Sequence, residues 1–248
     1  MPASGGGELS IRQLVLIPSY NSGEKLYDTV QASRSVWPEV WLVLDGSTDG
    51  SADTLAQAEG FRILKRERNG GKGAAVLDGL REAVVAGFTH VLVMDADGQH
   101  PADEISLFMA LSAAYPQAMI LGVPRFDADA PLLRVWGRRI SNLLVRVLTD
   151  VQIQDALFGF RVYPASPLLH AMETSPHMRG YDFDAEAAVR LAWAGVTVVN
   201  QPASVRYFLK SEGGVSHFRY VIDNLRLATM FARLFAAWTR RQLRPSRH

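Results

Sequence analysis

Carboxylate, amide and imidazole side chains directly follow an apolar run in the segment VLVMDADGQHP, residues 91–101. The apolar run predicts a strand that is buried on both faces, and such a strand cannot end inside the core on bare carboxylates. We therefore expect Asp95 and Asp97 to lie at its carboxyl end. Two carboxylates one residue apart bind a hard cation such as Mg²⁺ or Mn²⁺, with Gln99 or His100 as the third ligand. The alternative for an isolated pair of this kind is a solvated turn.

A second acidic segment, DGSTDGSAD, begins at Asp45. Its spacing fits the start of a helix–loop–helix calcium loop, but the twelfth position is Ala56 instead of the glutamate that binds calcium with both oxygens. We therefore interpret it as a strand–loop–helix junction in which Asp45 faces a ligand crevice and Asp49 or Ser51 caps the next helix. The alternative is a purely structural loop.

A lysine in a glycine-rich setting, Lys72 in NGGKG, is the third candidate. Such a loop suits phosphate, but the Walker A pattern is absent because Gly73 follows the lysine instead of Ser or Thr. Lys72 therefore either contacts a phosphate or is a solvated surface lysine. No G-x-G-x-x-G motif follows the first apolar run of the chain, which argues against a dinucleotide oxidoreductase.

Short apolar runs alternate with segments of helical spacing in the first half of the chain. The runs that predict strands are 13–18, 40–44, 61–65, 90–94 and 118–123. Strands separated by helices indicate right-handed crossovers, and hence an α/β fold with a mainly parallel central sheet flanked by helices. Ligands bind beyond the carboxyl ends of the strands in such a sheet. The polar segments follow the first four strands, so we expect them to meet there.

The second half of the chain is less regular. The predicted elements are a helix within 130–149, a turn and strand at 155–164, a helix at 182–195, strands at 196–200 and 203–208, and a long final helix. We find no internal repeat and no linker, which favours a single domain.

Composition limits the classes of protein. The 248 residues are 48% hydrophobic and 21% charged, with a net charge of +1, and they include no cysteine. Disulfides, thiolate metal sites and a cysteine nucleophile are therefore excluded. No apolar run approaches the length of about 20 residues that spans a bilayer, and the N-terminal residues lack the features of a signal peptide. These features predict a cytosolic protein with a frayed N-terminal tail.

Four segments together resemble the nucleotide-sugar-binding half of glycosyltransferase family 2, which has the GT-A fold. They are IPSYNS, LDGSTDGS, NGGKGAAVLDGL and MDADGQHP, and the later DALFGFRVYP and DFDAEAAVRLAWAG resemble the same family. The nearest branch is the dolichol-phosphate mannose synthase-like enzymes, and GFRVYP and GGVSHFR are similar to small bacterial transferases of aryl polyene and related lipid pathways. The predicted organisation is a tail at 1–11, a GT-A domain at 12–217 divided into a donor half (12–123) and an acceptor half (124–217), and a C-terminal helix and tail at 218–248.

The resemblance implies a donor site. The residues that would line the nucleotide pocket are Pro18, Tyr20, Asn21 and Asp45, and Lys72 is a further candidate there. Asp95 and Asp97 would hold Mn²⁺ or Mg²⁺ on the donor diphosphate, with Gln99 as the third ligand. Leu44 replaces the first of the two aspartates that the family usually has before Gly-Ser. Recognition of the nucleobase would therefore depend on Asp45.

Negative charge builds up on the departing diphosphate, and a divalent ion with nearby arginines stabilises that charge in the transition state. Arg125, Arg138 and Arg139 are the candidates, and the alternative is a solvated basic helix face. A hydroxyl acceptor also requires a base, whereas a lipid phosphate is already anionic. Alignment with the family places Asp184 at the usual base position and makes Asp155 the second candidate. Either carboxylate can instead be a helix cap or an ion-pair partner.

The C-terminal segment is basic. Residues 206–248 contain nine Lys or Arg and two acidic residues, so the segment carries +7 and the remaining chain −6. Arginines recur every seven residues at 219, 226, 233 and 240, beside apolar residues. This helix either lies on an anionic membrane or packs on the body of the protein. Nucleic acid is not expected as a partner, because no aromatic platform accompanies the basic residues.

These observations predict a metal-dependent inverting glycosyltransferase, peripheral on the cytoplasmic face of the inner membrane. It would transfer a sugar from a UDP- or GDP-sugar to a polyprenyl-phosphate or other lipid-linked acceptor. The alternatives are a sugar-phosphate nucleotidyltransferase and a non-catalytic, membrane-associated nucleotide-binding module.

Overall fold

The structure is a computed structural model, and it describes residues 10–51, 53–56, 61–125, 132–206 and 220–243. The strands are β1 (Gln13–Ser19), β2 (Val40–Asp45), β3 (Arg62–Arg66), β4 (His90–Val93), β5 (Ala118–Arg125), β6 (Arg161–Pro164) and β7 (Thr197–Ser204). The helices are α1 (Lys25–Val36), α2 (Asp53–Ala56), α3 (Lys72–Val85), α4 (Ile105–Ala114), α5 (Leu132–Thr149), α6 (Ala165–Glu173), α7 (Phe183–Trp193) and α8 (Tyr220–Gln242). A 3₁₀ turn, Ala102–Glu104, precedes α4.

The strands form a seven-stranded sheet in the order β3-β2-β1-β4-β6-β5-β7. Neighbours pair in parallel except at β6, which is antiparallel to both β4 and β5. The prediction of a mainly parallel α/β sheet is confirmed. Because β1, β2 and β4 are parallel neighbours, the segments that follow them lie along one edge of the sheet.

Helices cover both faces of the sheet, which explains the continuous apolar runs of the central strands. Leu14 and Leu16 of β1 pack into one core with α3, α5, α6, α7 and α8. Val15 and Ile17 point the other way, into a second core with α1 and α4. Alternate residues of one strand therefore serve opposite layers.

One prediction for the second half was wrong. The two strands predicted at 196–200 and 203–208 are a single strand, β7, which runs through Pro202. Proline is compatible with β7 because it is the last strand of the sheet, where its unshared edge needs no backbone donor. Residues 207–208 lie outside the described part of the chain.

The C-terminal helix α8 packs on the body of the protein. Met230, Phe231 and Leu234 are buried in the same core as α3 and α7. Arg233 lies 3.2 Å from the buried Glu186 of α7. Across the described residues, every helix is too short or too polar to span a membrane.

Candidate active site

A cleft of about 720 Å³ opens where β1, β2 and β4 end. Seven of the predicted donor-site and metal-site residues line it: Pro18, Tyr20, Asp45, Lys72, Asp95, Asp97 and Gln99. Asn21 lies beside it, where its side-chain oxygen accepts a hydrogen bond from the backbone N–H of Thr48 at 2.7 Å. The sheet topology thus brings together residues that are far apart in sequence.

Asp45 organises the loop at the end of β2. Its buried carboxylate accepts hydrogen bonds from the backbone N–H groups of Gly70 and Gly71, at 2.9 and 2.7 Å, and it also pairs with Arg66. Gly71 has a φ of +96°, a conformation that residues with a side chain rarely adopt. Asp45 therefore fixes the turn into α3, and it faces the cleft with the remaining acceptor capacity of its carboxylate.

The predicted metal ligands lie at the rim of the cleft. Asp97 accepts a hydrogen bond from the backbone N–H of Gln99 at 3.0 Å, which shapes the turn after β4. Burial and the negative charge of Asp95 raise the pKa of Asp97 above its ordinary value. No group of three His, Cys, Asp or Glu side chains that could hold a metal is present in the described part of the chain. The donor set is two carboxylates and an amide, which suits a hard divalent cation whose remaining ligands come from phosphate.

A buried cation joins the predicted metal site to the predicted base. The Lys72 ammonium lies 2.7 Å from Asp95 Oδ1 and 2.7 Å from Asp184 Oδ2, and its side chain is 8% exposed. The alternative of a solvated surface lysine is wrong. Burial would lower the pKa of Lys72, but the two carboxylates outweigh it and raise that pKa above its ordinary value. Lys72 is therefore charged at neutral pH.

Asp95 and Asp184 respond differently to the shared lysine. Burial alone would raise the pKa of Asp95, but Lys72 and His100 hold it well below its ordinary value. Burial raises the pKa of Asp184, and Lys72 only partly opposes this effect. The second oxygen of Asp184, Oδ1, is buried without a hydrogen-bond partner. Asp184 thus has a raised proton affinity, but its unpaired oxygen is buried and does not line the described cleft.

The other predicted base is already engaged. Asp155 accepts hydrogen bonds from one guanidinium nitrogen of Arg138 at 2.7 and 2.8 Å, and from the backbone N–H groups of Leu157 and Phe158. It is buried, and it is not among the described residues that line the cleft. The structure places it as an ion-pair partner that caps a turn.

The three candidate arginines do not line the described cleft. Arg138 pairs with Asp155, while Arg139 on α5 and Arg125 at the end of β5 are exposed. The sequence could not show which of these arginines face the cleft, because the spacing of basic residues on a helix does not indicate which side of the helix faces a ligand.

Arg161 is a functional candidate that the sequence analysis missed. Its guanidinium is fully buried, and it donates to the backbone carbonyl groups of Asp184 at 2.5 Å and Asp155 at 3.0 Å. It therefore positions the segments that carry both predicted bases. The signal was available, because an arginine inside the apolar strand segment FRVYP must find buried acceptors.

Gly159 lies directly against the Lys72–Asp95 ion pair, where no side chain would fit. A Cβ atom at this position would lie 2.4 Å from Asp95 Oδ2 and 2.7 Å from the Lys72 nitrogen. His100 supports Asp95 from the other side, with Nε2 at 3.3 Å from Asp95 Oδ2 and its ring against Phe158. His100 thus contacts a predicted metal ligand, and it is not among the described residues of the cleft wall.

Helix α8 contributes to the cleft wall, which the sequence did not predict. Asp223 and Arg226 line the cleft together with Tyr181. Burial and the charge of Asp95 raise the pKa of Tyr181 to about 12, so it remains a neutral phenol at physiological pH. No local pattern could place α8 here, because its contacts are with segments about 40 residues or more away in sequence.

The sheet order, the cleft and the acidic pair at the end of β4 define the GT-A fold. Comparisons with known proteins agree. The sequence profile described as "Glycosyl transferase family 2" matches residues 14–189. The chain therefore belongs to glycosyl transferase family 2, and it is a glycosyltransferase.

Relatives of known activity share much of the chain. Polyprenol monophosphomannose synthase of Mycolicibacterium smegmatis is 32% identical over 218 residues, which cover 83% of this chain and 80% of the relative. Undecaprenyl-phosphate mannosyltransferase of Micrococcus luteus is 27% identical over 216 residues, which cover 83% and 87%. These relatives agree with the predicted branch of the family.

Solved structures share the fold. Glucosyl-3-phosphoglycerate synthase of Mycobacterium tuberculosis, in complex with Mn²⁺, uridine diphosphate and glucosyl-3-phosphoglycerate, matches with a TM-score of 0.63 and 19% identity, covering 99% of this chain and 87% of that one. Mannosyl-3-phosphoglycerate synthase of Rubrobacter xylanophilus matches with a TM-score of 0.61 and 17% identity, covering 97% and 78%.

Proposed function

We propose that the protein transfers a sugar from a UDP- or GDP-sugar to a polyprenyl phosphate at the cytoplasmic surface of the inner membrane. The observation that carries the proposal is the Asp95–Asp97 pair, which lies in a cleft of about 720 Å³ with Lys72 and Asp184 behind it. A cleft of this volume is large enough for a nucleotide sugar. The polyprenol and undecaprenyl-phosphate relatives support the acceptor class.

The donor half would orient the nucleotide diphosphate. Pro18 and Tyr20 at the end of β1 and Asp45 at the end of β2 lie on one side of the acidic pair in the strand order, so the nucleoside would lie there and the diphosphate beside Asp97. Mn²⁺ or Mg²⁺ held by Asp95, Asp97 and Gln99 would supply charge stabilisation for the leaving diphosphate. The cation of Lys72 keeps Asp95 ionised, as a metal ligand must be.

The position of Asp184 supports a phosphate acceptor. An acceptor hydroxyl would need a base within hydrogen-bond reach, about 2.6–3.2 Å, as it attacks. Asp184 lies behind Lys72 and is not among the described residues of the cleft wall. A polyprenyl phosphate is already anionic and needs no such base. Asp184 would then act mainly by holding Lys72 in place.

Transfer of radiolabelled sugar to undecaprenyl phosphate tests the proposal, with a panel of UDP- and GDP-sugars and with Mn²⁺ or Mg²⁺. We expect a lipid-extractable product and release of nucleoside diphosphate. Asp97→Ala should lower the rate at least 100-fold, whereas Asp28→Ala on α1, away from the cleft, should leave it unchanged.

Two outcomes would contradict the proposal. Release of pyrophosphate would indicate a nucleotidyltransferase. Tight donor binding without turnover on any lipid phosphate would indicate a binding module.

A further inference from the structure

Helix α5 exposes an apolar stripe. Ile140, Leu143 and Val147 are 57, 61 and 49% exposed, and their spacing of three and four residues places them on one side of the helix. The opposite side, with Val145 and Leu148, is buried in the core. In the described part of the chain, three large aliphatic side chains on one face of this helix are therefore exposed, and an apolar face of this kind can mark an interaction site.

The charge on this helix has a single sign. Residues 132–149 contain four arginines and no acidic residue. Arg139 and Arg146 are exposed on α5 and border the apolar stripe, whereas Arg138 turns inward to Asp155. Aliphatic side chains bordered by arginines are typical of a helix that lies in the interface of an anionic bilayer.

The basic helix α8 is less suited to this role than its sequence indicates. Its apolar residues Met230 and Leu234 are buried in the core. Arg233 pairs with Glu186 and Asp182, and Arg241 donates to the backbone carbonyl of Trp193. Met230, Leu234 and Arg233 of α8 are thus turned toward the body of the protein.

We propose that α5 docks on an anionic lipid surface through Ile140, Leu143 and Val147, with Arg139 and Arg146 on lipid phosphates. The aliphatic side chains enter the boundary between head groups and acyl chains, and the guanidinium groups gain from the negative surface potential. The biological purpose of the contact rests on the proposed lipid-phosphate acceptor, whereas the contact itself depends only on the helix.

A second copy of the chain fits the stripe less well. A twofold contact repeats the same face on both partners. Two α5 helices would bring Arg139 and Arg146 of each copy together without a carboxylate from either helix, and like charges oppose such a contact. An anionic bilayer supplies the missing negative charge.

Docking through α5 would also orient the site. Arg138 of α5 holds Asp155, and Arg161 joins the backbone of Asp155 to that of Asp184. This chain of contacts connects the helix to the predicted base beside Lys72. The acceptor half of the domain would then be held at the lipid surface.

Vesicle co-sedimentation of the full chain tests the contact without substrate. Vesicles of phosphatidylglycerol and phosphatidylcholine should bind the wild type, and pure phosphatidylcholine should bind it at least tenfold more weakly. The triple variant I140S/L143S/V147S should lose at least tenfold in affinity for the mixed vesicles. The matched control V85S/L107S removes exposed aliphatic side chains from α3 and α4 and should change affinity less than twofold. Arg146→Gln should reduce the preference for phosphatidylglycerol.

Circular dichroism establishes that each variant is folded, and sedimentation equilibrium measures self-association. Unchanged vesicle affinity in the folded triple variant would overturn the proposal, as would a wild type that does not bind the mixed vesicles. A dimer that the triple variant converts to monomer, with vesicle binding unaffected, would assign the stripe to a second copy instead. Failure of sugar transfer with intact vesicle binding would reject the proposed function and leave the docking surface standing.

Discussion

Lys72 is the residue at which the predicted metal site and the predicted base meet. Its ammonium is 8% exposed and compensates two carboxylates, of which Asp184 is buried and Asp95 lies at the cleft. Removing one partner of a buried ion pair leaves an uncompensated charge, which costs more than the pair itself contributes. The residue therefore has a structural effect that can be measured apart from catalysis.

Lys72→Met should lower the free energy of unfolding by about 3 kcal/mol at neutral pH, because Asp95 and Asp184 lose their shared cation. Urea denaturation measures the change. Adding Asp184→Asn to Lys72→Met should recover part of the loss, and the double-mutant cycle isolates the coupling. The control is Lys65→Met in β3, where the lysine is exposed and the change should stay within about 0.5 kcal/mol. An equal loss of unfolding free energy in Lys72→Met and Lys65→Met would contradict the role of Lys72.

Asp97 provides a prediction on pH. Because burial and Asp95 raise its folded-state pKa, the folded protein holds this proton more tightly than the unfolded chain does. Ionising Asp97 therefore destabilises the fold, and the cost appears as pH rises from the unfolded pKa through the raised folded pKa. Asp97→Asn should be more stable than the wild type at pH 7, and the gain should vanish below the unfolded pKa, at about pH 3.9.

Chemical denaturation across pH, in the presence of a chelator, measures this difference. Saturating Mn²⁺ should stabilise the wild type and not the variant, because a cation bound to Asp97 favours its ionised form. A variant that is less stable than the wild type at pH 7 without metal would show that Asp97 has no such cost.

Among the elements, α8 has two sides with different roles. Leu234 is 1% exposed in the core, whereas Leu225 is 67% exposed beside the cleft. Its buried side and the Arg233–Glu186 ion pair anchor the helix whose Asp223 and Arg226 line the cleft. The helix is therefore part of the site.

Leu234→Ala should destabilise the protein by about 2–5 kcal/mol, because a large side chain leaves a cavity in a packed core. Leu225→Ala on the same helix should change stability by less than about 0.5 kcal/mol. Thermal or urea unfolding of the two variants provides the comparison. Similar, small changes in both would mean that α8 is not anchored in the core in solution.

At the scale of the whole molecule, donor binding should stabilise the fold. A ligand that binds only the folded state raises the free energy of unfolding by about 2.7 kcal/mol at 100 times its Kd, and the melting temperature rises as a result. We expect a nucleotide sugar with Mn²⁺ to raise the melting temperature by several degrees more than either ligand alone. Asp97→Ala should abolish the combined effect. Equal shifts with and without Mn²⁺ would contradict a metal bound on the diphosphate.

Much of this architecture was predictable from the sequence. The apolar runs at 13–18, 40–44 and 90–94 gave the central strands, because period and composition are local properties of the chain. The polar segments at their ends predicted that Asp45, Asp95 and Asp97 lie near one another, because the carboxyl ends of parallel strands lie at one edge of the sheet. The resemblance of these segments to glycosyltransferase family 2 was confirmed.

Tertiary structure alone decided how the charges pair. Lys72 lies 112 residues from Asp184, and nothing local to either residue shows that they share a hydrogen bond of 2.7 Å. The ion pair between Arg138 and Asp155 and the position of α8 in the cleft wall were likewise not predictable, because they also depend on contacts between distant segments. Local pattern determines which residues leave a strand or helix at a given edge. Which of them meet is set by the packing of distant elements into one core, where a buried charge must find its partner.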